Sequence, residues 1–279
     1  MISEAKAFAP ANISCIFKIY SHGNPRWMGS YGIGFTLNEG VVAKVSIAKK
    51  NMVVFNNKSV KFPTVTSLIE RLTGKKIKVH IRSNLPLGCG FGLSGASALA
   101  AAYSINKLLK LKKSKKELAI ISHIAEVENK TGLGDVVNQF YGGFCMKIKP
   151  SSRFSVRKLP INNIDVYCRC FGKISTKSII ANPKLKDDIN SAATVSLNKV
   201  KNLIKSKKRI QFGEIISISK EFAANSGLLK DKKTKKAIAK IEKKNGNASM
   251  IMLGNAVFSD IPFDAALKLR ITDDGAHLL

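Results

Sequence analysis

Between Leu85 and Ala98 the chain reads Leu-Pro-Leu-Gly-Cys-Gly-Phe-Gly-Leu-Ser-Gly-Ala-Ser-Ala, a run that few backbones can accommodate. Before it, Lys75 to Ser83 alternates: Ile77, Val79 and Ile81 on one face, Lys76, Lys78, His80 and Arg82 on the other. That is the period of a half-buried strand. After it, Ser94 to Leu111 is rich in Ala and Leu and reads as a helix. The segment therefore joins a strand to a helix. Gly88, Gly90 and Gly92 alternate within it, so the backbone can approach a ligand with no Cβ in the way. A helix opening near Ser94 presents unpaired N–H groups and about half a positive charge. Entered at Pro86, carrying Phe91 and Leu93 beside its glycines, and closed by the small Gly95 and Ala96, this loop describes a phosphate cradle. The Ser94 hydroxyl stands where it could touch a bound Mg²⁺. No Gly-Lys-Ser/Thr ends the run, so it is not a Walker A loop, and Gly88-x-Gly90-x-x-Leu93 departs from the dinucleotide fingerprint.

The charge is lopsided: 47 Lys and Arg against 18 Asp and Glu, a net +29 over 279 residues. Such an excess suits a nucleic-acid binder. However, aromatics are only 7% and do not interleave with the basic residues as a base-stacking platform requires. Runs such as Lys232-Lys233 and Lys235-Lys236 lie on predicted amphipathic helices, where a solvated face accounts for them. A positive field would equally attract a phosphorylated or carboxylate ligand. The five cysteines, Cys15, Cys89, Cys145, Cys168 and Cys170, are odd in number and scattered, which argues against a disulfide framework. Cys168 and Cys170 read as two thiols on one face of a strand. No apolar run approaches the ~20 residues of a membrane span. Met1 to Pro10 contains Glu4 and no long apolar stretch, so it is not read as a signal peptide, and a cytoplasmic chain is expected.

In so basic a chain, the carboxylates between His123 and Gly143 stand out: Glu126, Glu128 and Asp135. Ser114-Lys-Lys-Glu117 is a capping box that opens a helix to about Asn129, and Thr131-Gly-Leu-Gly134 breaks it. Glu126 is either a solvated helix carboxylate or a Mg²⁺ ligand. Asp135, just past the glycine turn, is either the cap of the next helix or a side chain aimed at a substrate. Phosphoryl transfer needs one carboxylate on the metal and one group that orients the attacking hydroxyl. His123 reads as a half-buried structural residue.

Elsewhere the first third is β-rich. Val41–Ile47 and Met52–Phe55 read as strands, Asn56-Asn57 as a tight turn, and Lys58–Phe62 as the returning strand. Phe144–Ile148 reads as another strand, and Pro150-Ser151-Ser152 as a linker. The second half opens with strand Asp165–Phe171. Helices follow over Asp187–Lys205, Gly213–Asn225 and Lys232–Lys244, then an apolar strand, Ala248–Leu253, that ends at Gly254-Asn255. The pattern is α+β in two packed halves.

Taken together, these segments resemble the GHMP kinases. The family's Pro-x-x-x-Gly-Leu-Gly-Ser-Ser loop is matched from Pro86 to Ser94. Its N-terminal Ala-Pro-Gly-Lys motif is matched by Ala9-Pro10-Ala11-Asn12, and its C-terminal glycine motif by Ala248 to Asn255. Within the family the resemblance is nearest to the archaeal-type pantoate kinases. It rests on Gly90 to Ala96, Ala125-Glu126-Val127, Thr131-Gly-Leu-Gly-Asp135 and Ser249 to Asn255. The resemblance implies two-layer α+β architecture: residues 1–152 as an ATP-binding half like domain 2 of ribosomal protein S5, and residues 153–279 as a ferredoxin-like half. It implies ATP-dependent phosphorylation of the 4-hydroxyl of pantoate, with Mg²⁺, in coenzyme A biosynthesis. Ser94 and Glu126 would be metal ligands, Asp135 would orient or accept the substrate proton, and Pro10, Asn12, Ser30, Gly32, Thr131 and Gly254 would line the substrate site. The lysine of the first motif is Asn12 here, so no ammonium at that position can assist the hydroxyl. A substrate carboxylate calls for a cation or backbone donors, with Arg26, Arg82 and Ser30 to Gly34 as candidates. The partner implied is a small molecule, with no membrane and no specific nucleic acid; a homodimer is compatible. The alternatives are another acceptor (homoserine, mevalonate or a sugar) and a non-catalytic nucleic-acid binder on the same fold.

Overall fold

A computed structural model describes residues 3–206 and 209–279; Met1 and Ile2, part of the N-terminal stretch considered above, lie outside it. The first half is organised on a long antiparallel ribbon, β1 (Glu4–Tyr20) and β2 (Gly29–Ile47), paired from Glu4↔Ser46 to Tyr20↔Gly29. Register shifts between Pro10 and Asn12, and between Ser14 and Ile16, bend the ribbon. β2 therefore serves two neighbours. Its later part, Val42–Ile47, pairs with β5, whereas its earlier part, Gly32–Phe35, pairs with β6. Between these come β3 (Met52–Phe55), β4 (Lys58–Ser59), α1 (Pro63–Leu72), β5 (Ile77–Arg82), α2 (Leu93–Leu109), α3 (Lys115–Glu128), α4 (Asp135–Tyr141) and β6 (Phe144–Lys147). The β3–β4 hairpin turns on Asn56 and Asn57 at φ +46° and +66°, as their side chains favour. α2 is alanine-rich because it is enclosed between the ribbon and helices α1 and α3, where small side chains let three layers approach closely. The Ser114–Glu117 capping box forms as expected: Glu117 N donates to Ser114 Oγ at 3.2 Å, and Ser114 N to Glu117 Oε2 at 2.7 Å.

A three-residue 3-10 turn (Ser151–Arg153) leads to β7 (Val156–Leu159), which pairs with β6. The chain then enters a second, four-stranded antiparallel sheet of order β11-β8-β10-β9. Its parts are β8 (Asp165–Lys173), α5 (Thr176–Ile180), α6 (Pro183–Ser206), α7 (Phe212–Asn225), α8 (Lys232–Glu242), β9 (Ala248–Met250), β10 (Gly254–Ser259) and β11 (Leu267–Arg270). β12 (His277–Leu278) returns to pair with β1. Helix α7 ties the sheets together. Its Ser219 hydroxyl lies 2.8 Å from the β1 carbonyl of Cys15 and 2.9 Å from the β9 hydroxyl of Ser249. An aromatic cluster does the same: Phe35 on β2, Phe144 on β6, Phe212 at the start of α7 and Phe258 on β10, with ring centroids 5.2–6.4 Å apart.

Four expectations are corrected. The returning strand after Asn57 is only Lys58–Ser59, because Pro63 starts α1, whose Val65, Leu68, Ile69 and Leu72 form the buried stripe. The apolar run from Ala248 stops at Met250 and turns at Leu253 (φ +64°), so Gly254 begins a strand instead of ending one. The 150–152 segment is no exposed linker: Ser151 and Ser152 are buried, and Ser151 Oγ accepts from Ser30 N at 2.9 Å. Finally, Cys89 and Cys170 are joined by a disulfide across 81 residues, leaving Cys15, Cys145 and Cys168 free and buried.

Because one core spans both sheets, Phe258→Ala should cost about 3–5 kcal/mol and still give one cooperative unfolding transition. Chemical denaturation followed by fluorescence and far-UV circular dichroism checks this; separate transitions would show the halves to be independent.

Candidate active site

The glycine loop, the 131–135 turn and the facing segments of the second half enclose a cleft of about 410 Å³. That volume suits a small ligand. Gly88 and Gly90 take φ +85° and +84°, and Gly92 takes φ +63° as the residue just before α2. A side chain at Gly92 would come within 3.2 Å of Asp135, so the loop passes directly over that carboxylate. Gln139 Nε2 donates to Gly92 O at 2.8 Å, and Asn12 N donates to Phe91 O at 3.0 Å, fixing the loop on α4 and β1. From the other side, β10 arrives so closely that a Cβ on Gly254 would lie 2.1 Å from Cys89 O. Gly92, Leu93 and Ser94, at the N-terminus of α2, line the cleft, and a helix N-terminus favours a phosphate there.

Below the loop sit three ionisable side chains. Asp135, in the first turn of α4, does not cap that helix; Gly134 precedes it with no side-chain cap. Asp135 Oδ1 instead accepts from Asn12 Nδ2 at 2.7 Å and from Ser14 Oγ at 3.3 Å, and Asn138 Nδ2 donates to Asn12 Oδ1 at 2.8 Å. Glu126 is fully buried, not solvated, and lies behind Gly95 and Gly132. Among the described residues neither of its carboxylate oxygens has a well-formed hydrogen bond, although the Gly95 amide stabilises the charged carboxylate. Lys147 enters from β6, 3% exposed, and reaches the cleft wall. Among the described residues it makes no ion pair within 4 Å, but it lies close enough to act electrostatically on both carboxylates. Burial, then the charge of Asp135, drives Glu126 well above the ordinary carboxylate range, against Lys147 and the Gly95 amide. Burial raises Asp135 too, opposed by Lys147 and by the hydrogen bonds from Asn12 and Ser14. Burial lowers Lys147, opposed chiefly by Asp135.

A chain of hydroxyls completes the wall. Ser94 Oγ donates to Thr64 Oγ1 at 3.1 Å, Thr64 and Thr131 Oγ1 lie 2.8 Å apart, and Thr131 N donates to Glu126 O at 3.0 Å.

Of the residues singled out from the sequence, Gly88, Gly90, Phe91, Gly92, Leu93, Ser94, Thr131, Asp135 and Ser30 line the cleft. Glu126 and Gly95 lie just behind its wall, and Asn12 reaches it through Asp135. Gly254 shapes it by packing under the loop, and Ala96 is buried in α2. Pro10, Gly32 and Pro86 do not line the cleft; Pro10 and Gly32 sit in the β1–β2 ladder. Neither arginine reaches it. Arg26 stacks on Trp27, 4.7 Å from the ring centroid, and donates to Ser152 O at 3.1 Å, while Arg82 sits exposed at the end of β5. Glu128 pairs with Arg71 at the surface. His123 is fully buried, with Nε2 2.9 Å from Met28 O, and burial holds its pKa down at about 4. The sequence reading missed Lys147, Ser14 and Thr64. For Lys147 one signal existed: Phe144-Cys-Met-Lys147 is an otherwise apolar strand, buried along its whole length.

Residues 59–143 match the family described as GHMP kinases N terminal domain. The chain is 35% identical over 258 residues to the pantoate kinase of Methanocaldococcus jannaschii, covering 90% of each. It is 29% identical over 280 residues to that of Thermococcus kodakarensis, covering 95% of this chain and 90% of the relative. A solved structure described as a phosphotransferase related to CoA biosynthesis pathway superposes with a TM-score of 0.84 at 23% identity, over 99% of this chain and 98% of that one. Mevalonate diphosphate decarboxylase from Enterococcus faecalis shares the fold at a TM-score of 0.73 and 15% identity, over 99% and 98% of the two chains.

Removing the buried ammonium should disfavour the charged carboxylates around it. Lys147→Met is therefore expected to raise the Asp135 pKa further, by about one unit. Carbon NMR titration of the side-chain carboxyls measures this; an unchanged Asp135 titration would show that the two groups do not interact.

Proposed function

The chain belongs to the pantoate kinase family, within the GHMP kinases, and we propose that it transfers the γ-phosphoryl group of ATP to the 4-hydroxyl of pantoate, giving 4-phosphopantoate for coenzyme A biosynthesis. The observation that carries this reading is the arrangement under the glycine loop. A helix N-terminus suited to phosphate faces Asp135 and Lys147 across one cleft.

The parts divide as follows. Gly88 to Gly95 and the amides of α2 hold the ATP phosphates. The buried Glu126 carboxylate, with no well-formed hydrogen bond to either oxygen among the described residues, and the Ser94 hydroxyl are a hard-oxygen donor set that fits Mg²⁺, which commonly takes one or two protein carboxylates and completes its shell with phosphate and water. Bound there, the ion supplies charge neutralisation for the phosphates. Asp135 is held by Asn12 and Ser14 with one face open, so it can accept a hydrogen bond, and then the proton, from the 4-hydroxyl. Its raised pKa makes it a better proton acceptor than an ordinary aspartate. Lys147 takes the place foreseen for Arg26 or Arg82: a buried cation with no ion-pair partner among the described residues, available to the pantoate carboxylate. It also supplies an ammonium near Asp135 that Asn12 cannot. Positioning and electrostatics then carry the transfer. In this reading residues 1–152 bind most of the ATP, and residues 153–279 close the cleft through Gly254 and the Ile174 to Lys177 segment. Among the described residues no helix is long and apolar enough to cross a membrane, and a cytoplasmic enzyme is the reading adopted.

ADP release from ATP and Mg²⁺ should follow addition of pantoate, and not of homoserine, mevalonate or galactose. Asp135→Asn should lower kcat by about 10²-fold or more, and Lys147→Met should act mainly on KM for pantoate. Release with a different acceptor alone would overturn the substrate assignment. Because the active form of Asp135 is the carboxylate, kcat should fall as pH drops through its raised pKa. The acid limb should therefore sit above about pH 4, the ordinary aspartate position. A pH–rate profile flat down to that value would remove Asp135 from the proton-accepting role.

A further inference from the structure

Cys89 stands between Gly88 and Gly90 at the crest of the glycine loop, and its sulfur is bonded to Cys170 on β8. The bond joins the loop to the second sheet beside the cleft. Leu87, Gly88 and Gly90 line that cleft from one side, and Ile174 and Ser175 from the other. The other contacts between the crest and this half are non-covalent, and Gly254 packs directly against Cys89 O. Ile174 N donates to Gly88 O at 3.3 Å, the Lys173 side chain lies against Gly88, and Ile251, Met252 and Gly254 pack under Gly90. The hydrogen bonds from Asn12 and Gln139 hold the loop at Phe91 and Gly92, past the crest; at the crest Gly88 and Gly90 have positive φ, a region glycine enters freely, so the covalent tether at Cys89 restricts the segment with the most backbone freedom.

We propose that Cys89–Cys170 is a reversible thiol–disulfide site that sets the affinity of the loop for nucleotide, with the bonded form being the tight-binding one. The bond holds the loop in the conformation whose amides face the phosphates, and preorganisation of this kind strengthens binding by reducing the ordering that the ligand must impose. The chemistry needs an oxidant of the small-molecule disulfide class. Cys170, half-buried where Cys89 is only 3% exposed, reacts first. Its thiolate attacks the small disulfide to form a mixed disulfide and expel one small thiol. The Cys89 thiolate then attacks the Cys170 sulfur, expelling the second small thiol. Two protein thiols are oxidised, one external disulfide is reduced, and the two protons leave on the small thiols. The other three cysteines are buried and unpaired, so they offer no competing partner among the described residues.

The inference rests on the kinase reading only in using ATP as its probe. The full chain is equilibrated with oxidised glutathione or with dithiothreitol. Free thiols, three of them buried in the folded chain, are counted by alkylation in denaturant and mass spectrometry, and ATP binding in the presence of Mg²⁺ is measured on the folded chain by equilibrium dialysis without pantoate. Three alkylated cysteines are expected after oxidation and five after reduction. The Kd for ATP should rise about threefold or more on reduction. Cys170→Ser should bind as the reduced protein does in both buffers, and Cys145→Ser should respond like the parent chain. Five alkylated cysteines after oxidation, or one Kd in both states, would overturn this inference and leave the kinase reading intact. No ATP binding in either state would overturn both.

Discussion

The β1–β2 ribbon is the constraint on which the remaining elements depend. Its 17- and 19-residue strands are too long to stay flat in one sheet, and the register shifts near Asn12 and Ser14 bend it there. The bend has two consequences. It splits β2 between β5 and β6, so that Arg82 leads into the glycine loop from one neighbour while Lys147 ends the other. It also turns Asn12 and Ser14 toward α4, where both donate to Asp135. Site geometry is thus a by-product of how the ribbon curves, and the helices pack around that curvature.

Placing two carboxylates and an ammonium in one buried pocket is costly unless each offsets another. Here the compensation is incomplete. Asp135 has two hydrogen bonds and a nearby cation, whereas among the described residues Glu126 has no well-formed hydrogen bond to either oxygen and only the Gly95 amide and Lys147 to favour its charge. In the proposed reading, that imbalance is what a cation bound beside Glu126 would relieve. The replacement of lysine by Asn12 fits the same scheme. Asn12 donates to Asp135 without adding charge beside it, and the ammonium arrives from β6 instead.

Local patterns were the legible part of the sequence. The alternation of Ile77, Val79 and Ile81, the Ser114–Glu117 capping box, the Asn56-Asn57 turn and the glycine loop each announce themselves within a few residues, and each forms. The Pro63 helix was also announced, by proline at its first position and an apolar stripe, but lost to the strand reading of its neighbours. What could not be read were meetings between distant segments. Asn12 and Asp135 lie 123 positions apart, and Cys89 and Cys170 lie 81 apart. Lys147 looks like any strand lysine until the fold buries all four residues of β6. Glycine and carboxylate patterns carry the site's chemistry locally, whereas its electrostatics depend on tertiary proximity, which spacing does not encode.

The fused aromatic core limits how this molecule can admit a ligand. Phe35, Phe144, Phe212 and Phe258 interlock across both sheets, and close-packed interiors deform little. Such packing opposes a jaw-like opening of the two halves. The cleft behaves more like a keyhole, with a width set by the static skeleton and only the loops at its rim free to adjust. Discrimination between acceptors then depends on whether a molecule fits the standing aperture rather than on how firmly it draws the protein closed.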